Sequence, residues 1–181
     1  MNGPLMLSVL VLAVLVFWAI GAYNRLMAHR NAIGDAWRQV DEPLRRRHEV
    51  LPELVSLLRE PLPTEHRALD AVLAASEQVI ASAAAVRRRP GDRDSVSGLA
   101  LAERVLAAAL ERLHALLEQH PGLKGEPQVD THVSELSVLD QRLVFRRQLF
   151  NQATHRYNEA VRQFPTSLLV PLFRFEPAGT L

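Results

Sequence analysis

Along the chain, apolar residues first form an unbroken run and then settle into spacings of three, four and seven. From Leu5 to Ala22 the sequence reads LMLSVLVLAVLVFWAIGA, uncharged and with Ser8 its one clearly polar residue. At about 1.5 Å per residue this run makes about 27 Å of helix, enough to cross the hydrocarbon core of a bilayer. Beyond it, Leu26, Ile33, Trp37, Val40, Leu44, Leu51, Leu54 and Leu58 stay on one helical face and predict a segment over 23–60. Pro43 and Pro52 each remove an intrahelical hydrogen bond and predict a kink or a split, with Asp41 placed to cap a helix restarting near Pro43. Pro61 and Pro63 end the segment. Thr64 is the expected cap of the next one, which turns Leu69, Val72, Leu73, Ser76, Val79, Ile80, Ala83 and Val86 inward before RRRPGDRDS stops it. A third segment, from about Ser95 to Gln119, carries Leu99, Ala102, Leu106, Ala109, Leu113 and Leu116 inward, and HPGLKGEP breaks it. The fourth, about 129–164, repeats Val129, Leu136, Leu143, Phe150, Tyr157 and Phe164 every seven residues, the pattern of a long bundle seam.

No stretch alternates with period two, and the connections are short, which forces consecutive helices to pack antiparallel. The expected fold is all-α: an N-terminal transmembrane helix over 1–22, an antiparallel up-down four-helix bundle over 23–165, and an apolar, proline-interrupted tail over 166–181. Within that tail LLVPLFRF, 168–175, is too short to span a bilayer and is expected on the lipid surface or against the base of the bundle.

Composition narrows the function classes. The 181 residues suit one domain with an appendage, and the absence of cysteine removes disulfides, thiolate metal sites and cysteine nucleophiles. The 21 Lys and Arg against 20 Asp and Glu give no basic excess of the kind that nucleic-acid binders show, so no nucleic acid is expected as a partner. A cleaved signal peptide competes with the anchor for the apolar run. The uncharged Met1–Pro4 and the length of the run favour the anchor, although Ala19 and Gly21 form a weak small-x-small site. Arg25, Arg30 and Arg38 follow the run and no arginine precedes it, a bias that puts the N-terminus outside and the soluble part in the cytoplasm, with the extracytoplasmic side as the alternative.

Candidate chemistry is sparse. His48, Glu49 and Glu53 are the nearest approach to a hydrolytic or metal-ligating set, but an i, i+5 pair faces poorly and there is no HExxH. His155 and Glu159 are properly spaced, yet a solvated face explains them. Glu135, Asp140 and Glu159 form no matched carboxylate pair, and neither G-x-S-x-G nor a glycine-rich phosphate loop occurs. No catalytic, metal or cofactor-binding residue is therefore assigned, no cofactor is expected, and the chain is expected not to be an enzyme. The run Arg45-Arg46-Arg47 could engage an acidic lipid or protein surface; a solvated face neutralised by Glu42 and Glu49 is the simpler account. Asn24 and Asn31 stand seven apart on the first segment, as do Asn151 and Asn158 on the last, each pair beside the apolar seam. Such stripes could fix helix register or line a polar groove for a partner segment.

Several of these residues also form a pattern. YNRLMAHRNAIGDAWRQVDEPLRRRHEVLPELV after a membrane helix, then EQHPGLKG, then FNQATHRYNEAVRQFP resembles the LemA family of bacterial membrane proteins over nearly the whole chain. Tyr23-Asn24, Asn31, Ala36-Trp37, Arg46-Arg47, Leu51-Pro52, His120-Pro121, Leu123-Lys124, Tyr157-Asn158 and Phe164-Pro165 carry the likeness. The resemblance implies a single-pass helical protein of the bacterial cytoplasmic membrane and no established catalysis. Pro43, Pro61, Pro63 and Asp140 depart from the family's habit and put helix lengths in doubt. The leading expectation is a non-enzymatic membrane protein presenting a helical surface to a protein partner or a second copy, touching lipid through its first helix. The alternative is a lipid-binding or membrane-shaping module using arginines and the tail. Asn24, Asn31, Trp37, Arg46, Arg47, Asn151, Tyr157 and Asn158 are the candidate interaction or register residues.

Overall fold

The computed structural model describes residues 3–181, so Met1 and Asn2 of the expected anchor lie outside the described residues. The apolar run and the first amphipathic segment are one uninterrupted helix, α1, Gly3–Arg59, about 86 Å long at 1.5 Å per residue. Neither proline splits it. Each costs about 3 kcal/mol locally, but the turns around them bury Val40, Leu44, Val50, Leu51, Leu54 and Val55. At about 1.5–3 kcal/mol for each such side chain, that burial outweighs the loss. Asp41 accordingly caps nothing, correcting the expected restart at Pro43.

The other helices are α2 (His66–Arg88), α3 (Arg93–Gln119), the single turn α4 (Pro121–Lys124) and α5 (Pro127–Arg162). Thr64 is not the cap of α2; Glu65 holds that position without a side-chain bond. Asp92 caps α3, its carboxylate accepting from the Ser95 backbone N–H at 2.9 Å and the hydroxyl at 2.6 Å. Those two bonds hold the Asp92 carboxyl below the usual range. α5 stops before Phe164 because the residue ahead of a proline is steered away from helix, and Phe164 is left 76% exposed. The seven-residue series therefore ends at Tyr157. A 3-10 turn (Thr166–Leu168) and the short α6 (Val170–Phe173) follow. No strand occurs among the described residues.

α1 is the central helix, packed against both α5 and α2, and α3 packs on α2. Side-chain pairs give the directions: Arg46 meets Glu135 and Arg25 meets Thr166, so α5 descends as α1 rises. Arg87 meets Asp41 and Arg59 meets Asp70, so α2 descends as well. The core that joins them includes every inward residue expected on α1 from Leu26 to Leu58, with Trp37 edge-on to Phe150 at 6.1 Å between centroids. Among the described residues two helices are long and apolar enough to cross a membrane by length and composition. One is α2, whose Leu69, Val72, Val79, Ala83 and Val86 are core residues. The other is the first part of α1, where Leu7, Leu10, Leu12 and Phe17 are exposed.

Candidate functional site

Charges in an apolar seam must be paired, and α1 carries two such charges on its inward stripe. Arg47 lies between Leu44 and Leu51 at helical spacing and is 5% exposed. Its guanidinium donates to Glu103 of α3 and, at 3.0 Å, to Asp140 of α5. Glu103 also accepts from Arg147 of α5, so one buried carboxylate ties three helices together. Asp41 accepts two bonds from Arg87 of α2, at 3.0 and 2.6 Å, and forms an ion pair with Arg45 at 3.0 Å. Arg47 is thus not on a solvated face, and Asp41 rather than Glu42 neutralises Arg45. Arg46 is exposed and pairs with Glu135 at 2.6 Å and Glu49 at 3.3 Å.

The seam between α3 and α5 holds the tail. Past α6 the chain reverses at Arg174, whose φ of 51° is the left-handed conformation, and then runs up the side of α5. The Tyr157 hydroxyl donates to the Glu176 carbonyl at 3.1 Å. The Asn158 amide donates to the Ala178 carbonyl at 2.9 Å and accepts from the Ala178 N–H at 2.7 Å. The Asn151 amide makes the same pair with Leu181, at 2.7 and 2.8 Å. One amide can reach both the N–H and the C=O of one residue only where these point to the same side, as in an extended strand. The spacing fits that geometry. Seven residues of helix rise about 10.5 Å, and three residues of extended chain cover about 10 Å. Asparagines seven apart are therefore rungs for every third residue of an extended segment.

The opposite wall comes from the start of α3. A Cβ on Gly179 would lie 3.0 Å from Arg93 Cα and 3.1 Å from Val96 Cβ, so only glycine passes here without displacement. Phe175 and Ala178 join the core, and Leu181 packs against it. Beyond Leu181 the seam opens into a cavity of about 310 Å³ lined by Val40, Leu44, Leu99 and Ala107, with Glu103, Arg104 and Arg147 among its polar lining. Burial raises the Tyr157 phenol above its usual range.

Of the residues singled out from sequence, Asn151, Tyr157 and Asn158 come together on the tail. The Asn151 and Asn158 amides bond the tail backbone rather than another helix. Asn24 and Asn31 are exposed on α1, and Asn31 lines a second cavity of about 870 Å³ with Arg30, Arg88, Arg89 and Arg174. Trp37 is a core residue, 1% exposed, with its indole N–H unpartnered. His48, Glu49 and Glu53 do not converge: His48 faces Ser76 at 2.9 Å and Glu77 at 3.7 Å, Glu49 serves Arg46, and Glu53 faces His132 at 3.8 Å. Ser76 is 2% exposed, so its hydroxyl is out of reach of a substrate and instead satisfies the imidazole. Among the described residues no group of three or more His, Asp or Glu side chains is placed to hold a metal ion.

Sequence reasoning missed Glu103, Arg147 and the Asp140 pairing, though the signal was present. Glu103 lies four after Leu99 and three before Leu106, Arg147 four after Leu143 and three before Phe150, and Asp140 four after Leu136 and three before Leu143. Each sits on an inward stripe. Among curated proteins none matches this chain. The family model described as LemA family matches residues 36–181, from within α1 through α5 to the end of the tail.

Proposed function

The chain belongs to the LemA family, and from that premise we propose a non-enzymatic, single-pass protein of the bacterial cytoplasmic membrane, an antiparallel four-helix rod that presents a groove to an extended segment of a partner protein. The tether reading is supported by α1. Its exposed apolar part and its core part are one helix, so an anchored first half would hold the bundle at a fixed height. The arginines at 25, 30 and 38 favour the cytoplasmic side.

The observation that carries the interaction reading is the pair of amide clamps. Asn151 and Asn158 bond only to main chain in the tail, a mode that gives affinity through the backbone and leaves selectivity to the pockets beside it. Those pockets ask for an aromatic residue at the position of Phe175, small residues at Ala178 and Gly179, and an aliphatic one at Leu181. The tail is then the resident occupant, and a partner segment of like chemistry takes its place.

A photo-crosslinking residue at Arg104, beside the cavity past Leu181, tests this in native membranes. Two variants are compared, one lacking 175–181 and one with the tail locked by a Gly91→Cys/Ala178→Cys disulfide. The Cβ separation at that pair is 3.6 Å, within the usual disulfide range of about 3.5–4.5 Å. The deleted chain should gain a crosslinked partner that the locked chain loses. The same products from both would contradict the reading.

A further inference from the structure

The tail has a second part, which the groove does not use. Between the end of α5 and Arg174, Phe164 is 76% exposed, Leu168 63%, Leu172 72% and Phe173 46%. Four large apolar side chains within ten residues are thus left facing outward, while Thr166 and Leu169 between them are buried and fix the segment in place. An apolar cluster of this kind marks a surface that something covers.

Its height on the rod identifies the cover. The Arg25 guanidinium donates to the Thr166 hydroxyl at 2.9 Å, and the Tyr23 ring lies 4.9 Å from that of Phe173 and 5.9 Å from that of Phe175. Tyr23 directly follows Ala22, the last residue of the uncharged run, and the exposed Phe17 and Ile20 lie within two turns below. The apolar foot is therefore level with the end of the apolar helix and continuous with its exposed surface. Arginine predominates around it, with Arg25, Arg30, Arg162 and Arg174 against Glu159 and Glu176 in the neighbouring stretches. Apolar side chains ringed by arginines are the composition of a segment that lies in the headgroup region with its cations on lipid phosphate.

We propose that residues 164–173 form a membrane foot, inserted in the bilayer interface beside α1, so that the rod stands on two supports rather than one. The proposal rests on the reading of α1 as a membrane helix. It also divides the tail: 164–173 meets lipid, and 175–181 enters the groove. Two supports would hold the groove at a set angle to the membrane, which one helix crossing alone does not do.

The chain has no cysteine, so single substitutions carry a spin label at one known place. Phe164→Cys, Leu168→Cys and Leu172→Cys are labelled in the full chain, reconstituted in vesicles of phosphatidylcholine and phosphatidylglycerol, with Phe17→Cys and Glu118→Cys as lipid and water references. Collision with oxygen should exceed collision with a water-soluble nickel complex at 164, 168 and 172, as at 17, and the order should reverse at 118. If 17 reports lipid while the three foot positions behave like 118, the foot is wrong and the tether stands. If 17 also reports water, both readings fail.

Discussion

Replacing Asn158 with alanine removes one rung of the tail clamp and little else. The side chain is partly exposed, lies on the flank of α5 and makes two bonds, both to Ala178. At about 0.5–1.5 kcal/mol net for each hydrogen bond, the loss is about 2 kcal/mol. Ala178 is 4% exposed, so water does not readily replace the bonds. A penalty of about 2 kcal/mol raises the population of undocked tail about 30-fold. Amide hydrogen exchange at Leu181 measures that population, because its N–H stays bonded to Asn151 in the variant and exchanges when the tail opens, whereas the Ala178 N–H loses its own acceptor with Asn158. The Leu181 rate should rise about 30-fold in Asn158→Ala, with core amides of α1 and α5 unchanged. Asn158→Asp, which keeps the acceptor for the Ala178 N–H but sets a carboxylate against its carbonyl, should also open the tail. Unchanged tail rates, or a loss spread evenly over α5, would refute the clamp.

Gly179→Val should open the tail too, since the added Cβ meets Arg93 Cα at 3.0 Å and Val96 Cβ at 3.1 Å; faster exchange at 178 and 181 with an unshifted melting temperature of the bundle checks it. Glu103→Ala leaves Arg47, 6% exposed at its side chain, with Asp140 as its one carboxylate partner. Losing the buried Glu103 bond while Asp140 still faces Arg47 costs about 1.5–3 kcal/mol, so denaturant unfolding should shift clearly, whereas Arg46→Ala on the exposed pair should barely move it. Tyr157 gives a pH dependence. Burial raises its folded pKa, so its contribution is fully present below the unfolded tyrosine value and is lost as pH rises through the folded one. Tail protection should fall on alkaline titration in step with tyrosinate absorbance, and Tyr157→Phe should abolish that step.

Much of the helical framework was legible because periodicity and burial agree. The spacing of Leu26 to Leu58 marked the inward face of α1, and the sevenfold series from Val129 to Tyr157 marked that of α5. Local rules were less reliable. Pro43 and Pro52 argued for a break, and packing on both sides overrode them. Phe164 continued a series on paper, but Pro165 ended the helix before it. The buried charges were hidden for a different reason: each lies on an apolar stripe, and its partner lies on another helix, so spacing shows the position but not the pairing. The asparagine stripe was visible as a stripe. Its ligand was not, because Ala178 and Leu181 offer only backbone, which every residue has, and no side-chain signal marks them as what Asn158 and Asn151 hold.

The most direct measurement of the central claim is binding of the labelled peptide FEPAGTL to the full chain lacking residues 175–181. The groove should take the peptide saturably, binding should be lost in the same chain carrying Asn151→Ala and Asn158→Ala, and the disulfide-locked chain should exclude it. A folded, tail-deleted chain that does not bind the peptide, or that binds it equally well without the two asparagines, would contradict the account.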